Sequence, residues 1–317
     1  MDNKLKEKYL NTFGKRFSKK EKQQFQTAIT DEFHALGYKS EITSERSKFS
    51  KLENIYIGQP KQAKYAYVIP YNTPARVLWF KNKIYPHDGY FNMRKLFLPT
   101  YLPMFIGYGF LLAFVYLFPS FISKDVLNIF YPLCFLYLGV LIWFILHGFG
   151  NKHNYVNNSS AIALAVQLAE NLPENRRKEV MFIFSDGNKP STALGNPQIT
   201  KYLQEHNKLN LSLISLYCIG SGNTIELFCD RNTKSIGKEL TKTYKGETSL
   251  KTRHINDNDK NNTVIEGFPR AMMISSGTYE KDYFMVSDVG TPKDEHIEEF
   301  VIDTIYDILI DYMKKKK

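Results

Sequence analysis

The chain has 317 residues, 43% of them apolar and 15% aromatic, so it can bury a sizeable core and is too apolar to be disordered. Its net charge of +10 rests on lysines gathered between Lys4 and Lys22 and in the closing run Lys314 to Lys317. No helix-turn-helix, zinc-finger or aromatic RNA-binding signature accompanies them, which sets nucleic acid aside and favours anionic lipid as the partner of these charges. The three cysteines, Cys134, Cys218 and Cys229, have neither paired nor metal-ligand spacing and each lies in an apolar run, as reduced buried thiols do.

Residues Lys19 to Leu36 place Phe25, Ala28, Ile29, Phe33 and Leu36 at helical spacing, with Gly37 positioned to stop the helix. Short strands are expected at Asn54 to Ile57 and at Tyr65 to Ile69, the second running into Pro70-Tyr71-Asn72. Two uncharged runs follow, 96–123 and 126–151, separated only by Lys124-Asp125. About 20 apolar residues suffice to span a bilayer, so the pair reads as a transmembrane helical hairpin over 96–150. Prolines 99, 103 and 132 are compatible with that, because neighbouring helices can satisfy the freed carbonyls. Lys81, Lys83, Arg94, Lys95 and Lys152 flank the hairpin against Lys124 alone in its loop. The positive-inside rule then predicts a two-span cell-membrane protein with N- and C-terminal segments in the cytoplasm. The first 50 residues are hydrophilic, which is unlike a signal peptide.

Beyond the hairpin, Asn157-Asn158-Ser159-Ser160 supplies capping side chains and Ala161, Leu164, Ala165 and Leu168 an apolar stripe for a helix close to a sheet. Strands are expected at Val180 to Phe184, Leu211 to Ile219, Thr224 to Cys229 and Ala271 to Ser275. Residues Thr241 to Asn262 are polar and read as a surface excursion. Thr291-Pro292-Lys293-Asp294 opens a last helix, with Ile297, Phe300, Val301, Ile305, Ile308 and Leu309 inward. Segments 1–95 and 151–317 thus form one domain interrupted by 96–150.

Five of these stretches, ALGYKSEI with NIYIG, YVIPYNT, NNSSAIALAVQLA, VMFIFSDGNK followed by LISLYCIGSG, and YFMVSDVGTP, stand in an order that resembles the di-zinc exopeptidases of metallopeptidase family twenty-eight. That family includes leucyl aminopeptidases and glutaminyl cyclase relatives. The resemblance implies a three-layer α/β domain with a mixed, mostly parallel central sheet, here interrupted by the hairpin. It also implies where the chemistry would sit. Such enzymes hold two zinc ions through a shared carboxylate with further His and carboxylate ligands, and a free Glu activates the bridging water. Carried over position by position, the first His matches Pro70 and the following Asp Asn72. The bridging Asp matches Asn157, the catalytic Glu and its neighbour match Asn188 and Lys189, the next Asp matches Tyr217 and the late His matches Phe284. No ligand is retained, and Lys189 adds a positive charge, whose repulsion of a single unit charge at ~4 Å costs roughly 4 kcal/mol at an effective dielectric near 20. Neither zinc nor another cofactor is expected.

The same residues also have ordinary roles. Asp186 is a usual Asp-Gly turn residue, Asn157 and Ser159 are usual caps, and Tyr217 and Phe284 are usual core aromatics. A rebuilt catalytic or metal site would instead recruit His87, Asp88, His153, Asp186 and Asp288. The sequence therefore favours a membrane-anchored, catalytically inactive pseudo-peptidase that binds a peptide or membrane-protein partner. The alternatives are an active membrane-bound metallo-aminopeptidase or related hydrolase with a rebuilt site, and a structural subunit of a membrane complex.

Overall fold

The computed structural model describes residues 1–46, 51–77, 82–117, 124–189 and 192–315. Lys81, Lys316, Lys317 and residues 118–123 lie outside them. The chain divides into two compact units, one of residues 1–92 and 150–317, the other of residues 93–149.

The first unit opens with α1 (Asn3–Lys6) and a π-helical turn, Glu7–Thr12. Helix α2 (Lys19–Ala35) starts at a capping box in which Ser18 Oγ accepts from the Glu21 amide and the Glu21 carboxylate from the Ser18 amide. It stops at Gly37, whose φ of 86° suits a residue without Cβ. Strands β1 (Ser40–Arg46), β2 (Lys51–Ile57), β3 (Tyr65–Pro70) and β4 (Lys83–Ile84) follow. The chain returns through a π-helical turn, Tyr155–Ser159, that continues into α5 (Ser160–Asn171), and then the short α6 (Glu174–Arg177). Next come β5 (Val180–Ser185), a small two-stranded ribbon of β6 (Asn188–Lys189) and β7 (Thr192–Ala193), and α7 (Asn196–Glu205). The last elements are β8 (Ser212–Leu216), β9 (Thr224–Cys229), α8 (Lys234–Thr243), β10 (Ser249–His254), β11 (Ala271–Glu280), β12 (Tyr283–Ser287) and α9 (Glu299–Lys315).

Ten strands form one mixed sheet whose path runs β1-β2-β5-β3-β8-β11-β12-β4, with β9 and β10 joined through β11. Its centre, β5-β3-β8-β11, is parallel, and these strands are buried along nearly their whole length. Both faces are covered, which is why the apolar runs of β3 and β5 are nearly unbroken. Alternation along each strand feeds two cores. Tyr67, Ile69, Phe182 and Phe184 pack with α2, α5 and α9 on one face. Ala66, Val68, Met181 and Ile183 pack with α7 and Phe268 on the other.

Several elements differ from the sequence reading. Helix α9 begins at Glu299, because Thr291 to Asp294 are used in a separate turn described below. The supposed surface excursion contains β10, a polar edge strand parallel to β9, and β1 is likewise polar. Cys218 and Cys229 are buried, whereas Cys134 is only partly so.

The second unit contains most of α3 (Gly89–Leu117) and all of α4 (Lys124–His147), with Pro132 inside the latter. Here the expectation of a membrane hairpin is corrected: among the described residues, no helix is long and apolar enough to cross a membrane. The two-span cell-membrane location with cytoplasmic termini falls with that finding. Absence of charge is not the same as apolarity. Helix α3 spends its first turns on Asn92, Arg94 and Lys95 and then carries Tyr101, Gly107, Tyr108 and Gly109, while α4 opens with Lys124-Asp125 and includes Tyr131, Pro132, Tyr137 and Gly139.

Candidate functional site

Strands β3, β5 and β8 run parallel and in register, with Tyr65 opposite Val180 and Ser212, so their carboxyl ends form one edge. Ligands gather at that edge in open α/β sheets. Pro70 ends β3 opposite Ser185. The β3–β8 ladder stops at Val68, so the missing amide of Pro70 costs no bond on that side. Strand alternation puts Pro70 on the face of Ala66 and Val68.

The next residues are tied to the turn that precedes α5. The Asn72 carbonyl accepts from Asn158 Nδ2 at 2.7 Å, and Asn72, Asn157 and Asn158 are all at least nine-tenths buried. Asn157 accepts from the Cys218 amide through its carbonyl at 3.4 Å, which brings it beside Tyr217 at the end of β8. Tyr217 is 4% exposed, and its carbonyl accepts from Ser275 Oγ at 2.6 Å. Burial pushes its hydroxyl well above the ordinary tyrosine range. Phe284, on β12, is completely buried against Phe228 and Tyr279 and belongs to the same core as Tyr217. Asn188 and Lys189 form β6 directly after the Asp186-Gly187 turn; their side chains lie outside the described residues.

Two groups that sequence reading passes over hold this edge together. Arg16 is fully buried, with its ring-facing side over Phe25 at 5.3 Å. It donates through Nε to the Tyr71 carbonyl at 2.6 Å, through one terminal nitrogen to the Phe13 carbonyl, and through the other to Asn158 Oδ1 and to Ser159 Oγ at 3.1 Å. All four acceptors are uncharged. Burial lowers its pKa to about 9, and it remains a cation at neutral pH. The second group is Asp294, whose carboxylate accepts from the amides of Val156 at 2.7 Å, Asn157 at 3.3 Å and Gly290 at 3.4 Å. It therefore caps the turn 155–159 and α5, not α9. The polar residues expected to cap α5 are used across the fold instead: Asn158 and Ser159 receive Arg16, and Ser160 Oγ donates to the Ile219 carbonyl at 2.5 Å. Burial outweighs the three amide bonds and pushes the Asp294 carboxyl up to about 7. Arg16 sits in a stretch that reads as surface lysine and arginine, and Asp294 in one that reads as a local cap, so only tertiary contact reveals either.

The five residues of a rebuilt site are dispersed among separate partners. Asp186, 1% exposed, receives Lys22 Nζ on both oxygens at 2.7 and 2.8 Å and the Gly187 amide at 2.8 Å, so it fixes the turn after β5 against α2. His153 Nε2 lies 3.8 Å from Glu295. Asp288 has a left-handed φ of 62° and its carbonyl accepts from Thr291 Oγ1 at 2.7 Å. His87 stacks on Phe228 and, with Asp88, lines a hollow with Arg253 and Asp259. Burial, aided by Arg253, lowers its pKa to about 4.

These positions do not fit zinc. Pro70 and Phe284 offer no side-chain donor, Asn72 and Asn157 offer neutral amides, and Tyr217 keeps its proton. Among the described residues there is no group of three or more His, Cys, Asp or Glu that could hold a metal ion.

Comparison with solved structures places this fold among zinc exopeptidases and glutaminyl cyclases. A leucine aminopeptidase precursor from Bacteroides thetaiotaomicron VPI-5482 aligns over 99% of this chain and 95% of its own, at 12% identity and a TM-score of 0.55. A Zn-dependent exopeptidase from Parabacteroides distasonis ATCC 8503 gives 98% and 96% coverage, 12% identity and 0.55. The Bacteroides thetaiotaomicron glutaminyl cyclase bound to N-acetylhistamine gives 99% and 96%, 12% and 0.57. At such identities the likeness is one of fold. No protein-family profile matches the chain, and no curated protein sequence does.

Proposed function

We propose that this protein is a catalytically inactive, aminopeptidase-like protein that keeps the exopeptidase fold and uses the carboxyl edge of its central strands to engage a peptide or protein partner. One observation carries the reading: Asn72, Asn157, Tyr217 and Phe284, which match ligand positions of the resembling enzymes, are buried and carry no metal-binding group between them. Hydrolysis by that family's route needs two ions and a general base, and losing a base alone typically removes ~10²–10⁴ in rate. Arg16 places a buried positive charge, held only by uncharged acceptors, on Asn158 and Ser159 beside Asn157, where a metal site would need negative charge. The expected result is purified protein without stoichiometric zinc and without aminopeptidase or glutaminyl cyclase activity, whether or not zinc is added. Two equivalents of bound zinc, with turnover abolished by a chelator, would overturn the proposal.

A further inference from the structure

The opposite end of the same strands holds a second hollow, of about 300 Å³, where β3, β8 and β11 begin. Its lining includes Lys64 just before β3, Ser212 opening β8, Arg270 just before β11, Lys208 from the loop that enters β8, and Ser235 from the first turn of α8. Among the described residues, no carboxylate lines it. Lys64 is offset by Glu179 at 2.5 Å, but that same carboxylate is shared with Arg176 at 2.6 Å. Lys208 and Arg270 have no carboxylate partner among the described residues. Each is held by one neutral bond: Lys208 Nζ donates to the Ala63 carbonyl at 3.2 Å and Arg270 Nε to Ser212 Oγ at 2.8 Å. Those bonds orient the two cations and leave further donors on both. The volume sits at the small end of ligand sites.

We infer that this hollow is an oxyanion site that takes a phosphate group, either as the free ion or as a phosphate monoester. A tetrahedral dianion accepts several hydrogen bonds at once, matching a lining of ammonium, guanidinium and hydroxyl donors with a net positive charge. The site lies at the amino ends of the strands, away from Pro70 and Tyr217, and does not rest on the proposed inactivity at the other edge.

Titration of the full chain with inorganic phosphate, and in parallel with phenyl phosphate, against chloride at matched ionic strength tests it by calorimetry. Saturable binding of phosphate is expected. Lys208→Met and Arg270→Gln each weaken it about tenfold, the loss of one charge-assisted bond, while Lys208→Arg largely restores it and Lys61→Met, outside the hollow, changes nothing. Tighter binding of phenyl phosphate assigns the site to a monoester, and equal or weaker binding assigns it to the free ion. Phosphate behaving as chloride does, or binding unchanged in a folded Lys208→Met variant, overturns the inference.

Discussion

At the scale of single residues, Asp294 carries the clearest pH signature. An aspartate in an unfolded chain titrates near 3.9, whereas burial holds Asp294 at about 7 in the fold. The folded state thus binds the extra proton between those values, and this group's contribution to stability is present at low pH and lost as pH rises from about 4 through 7. His87 acts in the opposite sense. Its pKa is lowered to about 4, so its contribution is lost as pH falls from about 6.5 towards 4. A wild-type profile mixes the two, and a difference measurement separates them. Asp294→Asn cannot titrate and keeps one acceptor oxygen in place of two. It should cost about 1–2 kcal/mol near pH 5, with the deficit shrinking towards pH 8, as read from urea unfolding at several pH values. A deficit that stays constant across this range would mean that Asp294 does not change its protonation there.

At the scale of elements, the legible parts of the fold are those whose side chains record their surroundings. The runs YAYVIP and VMFIFS are apolar at nearly every position because both sheet faces are covered, and with the buried SLISL, where only Ser212 and Ser215 are polar, they read directly as strands. The edge strands SEITSER and SLKTRH are mostly exposed and polar, so no apolar run announces a strand, and the ion pair from Arg253 to Glu226 of β9 at 2.8 Å appears only once the two strands are paired. The candidate site divides the same way. Its positions along the chain are visible from the order of motifs, but the clamp that holds them is not, since Arg16 acts across 142 residues to reach Asn158. That clamp joins the N-terminal segment at Phe13, the β3 exit at Tyr71 and the turn before α5. Arg16→Met would leave several buried acceptors without donors, so a loss of about 2–4 kcal/mol is expected in denaturant unfolding. Arg16→Lys keeps the charge but cannot span the same fork of acceptors and should recover only part of it. Full recovery by lysine would show that charge alone, and not the guanidinium geometry, matters.

At the scale of the whole molecule, the question is whether the first unit needs the second in order to fold. Among the described residues, the buried members of both hydrophobic cores come from outside residues 93–149: the first mainly from the N-terminal turns, α2, α5, α8, α9 and one sheet face, the second mainly from α7, the segment around Phe268 and the other face. The ends of the break are also fixed within the first unit. Asn92 closes on Tyr85 through two bonds, accepting from its amide at 2.9 Å and donating to its carbonyl at 2.8 Å. Gly150 forms a bridge with Ala75. A chain break between two anchored points adds only loop-closure entropy, which grows slowly with length, about 0.6 kcal/mol per doubling. Replacing residues 93–149 by a flexible Gly/Ser linker of comparable reach should therefore leave a protein that unfolds cooperatively, with native near-ultraviolet circular dichroism and the same titration behaviour of Asp294. Loss of cooperativity with retained far-ultraviolet signal would show that the two cores are not self-sufficient and that the second unit supplies packing the first cannot do without.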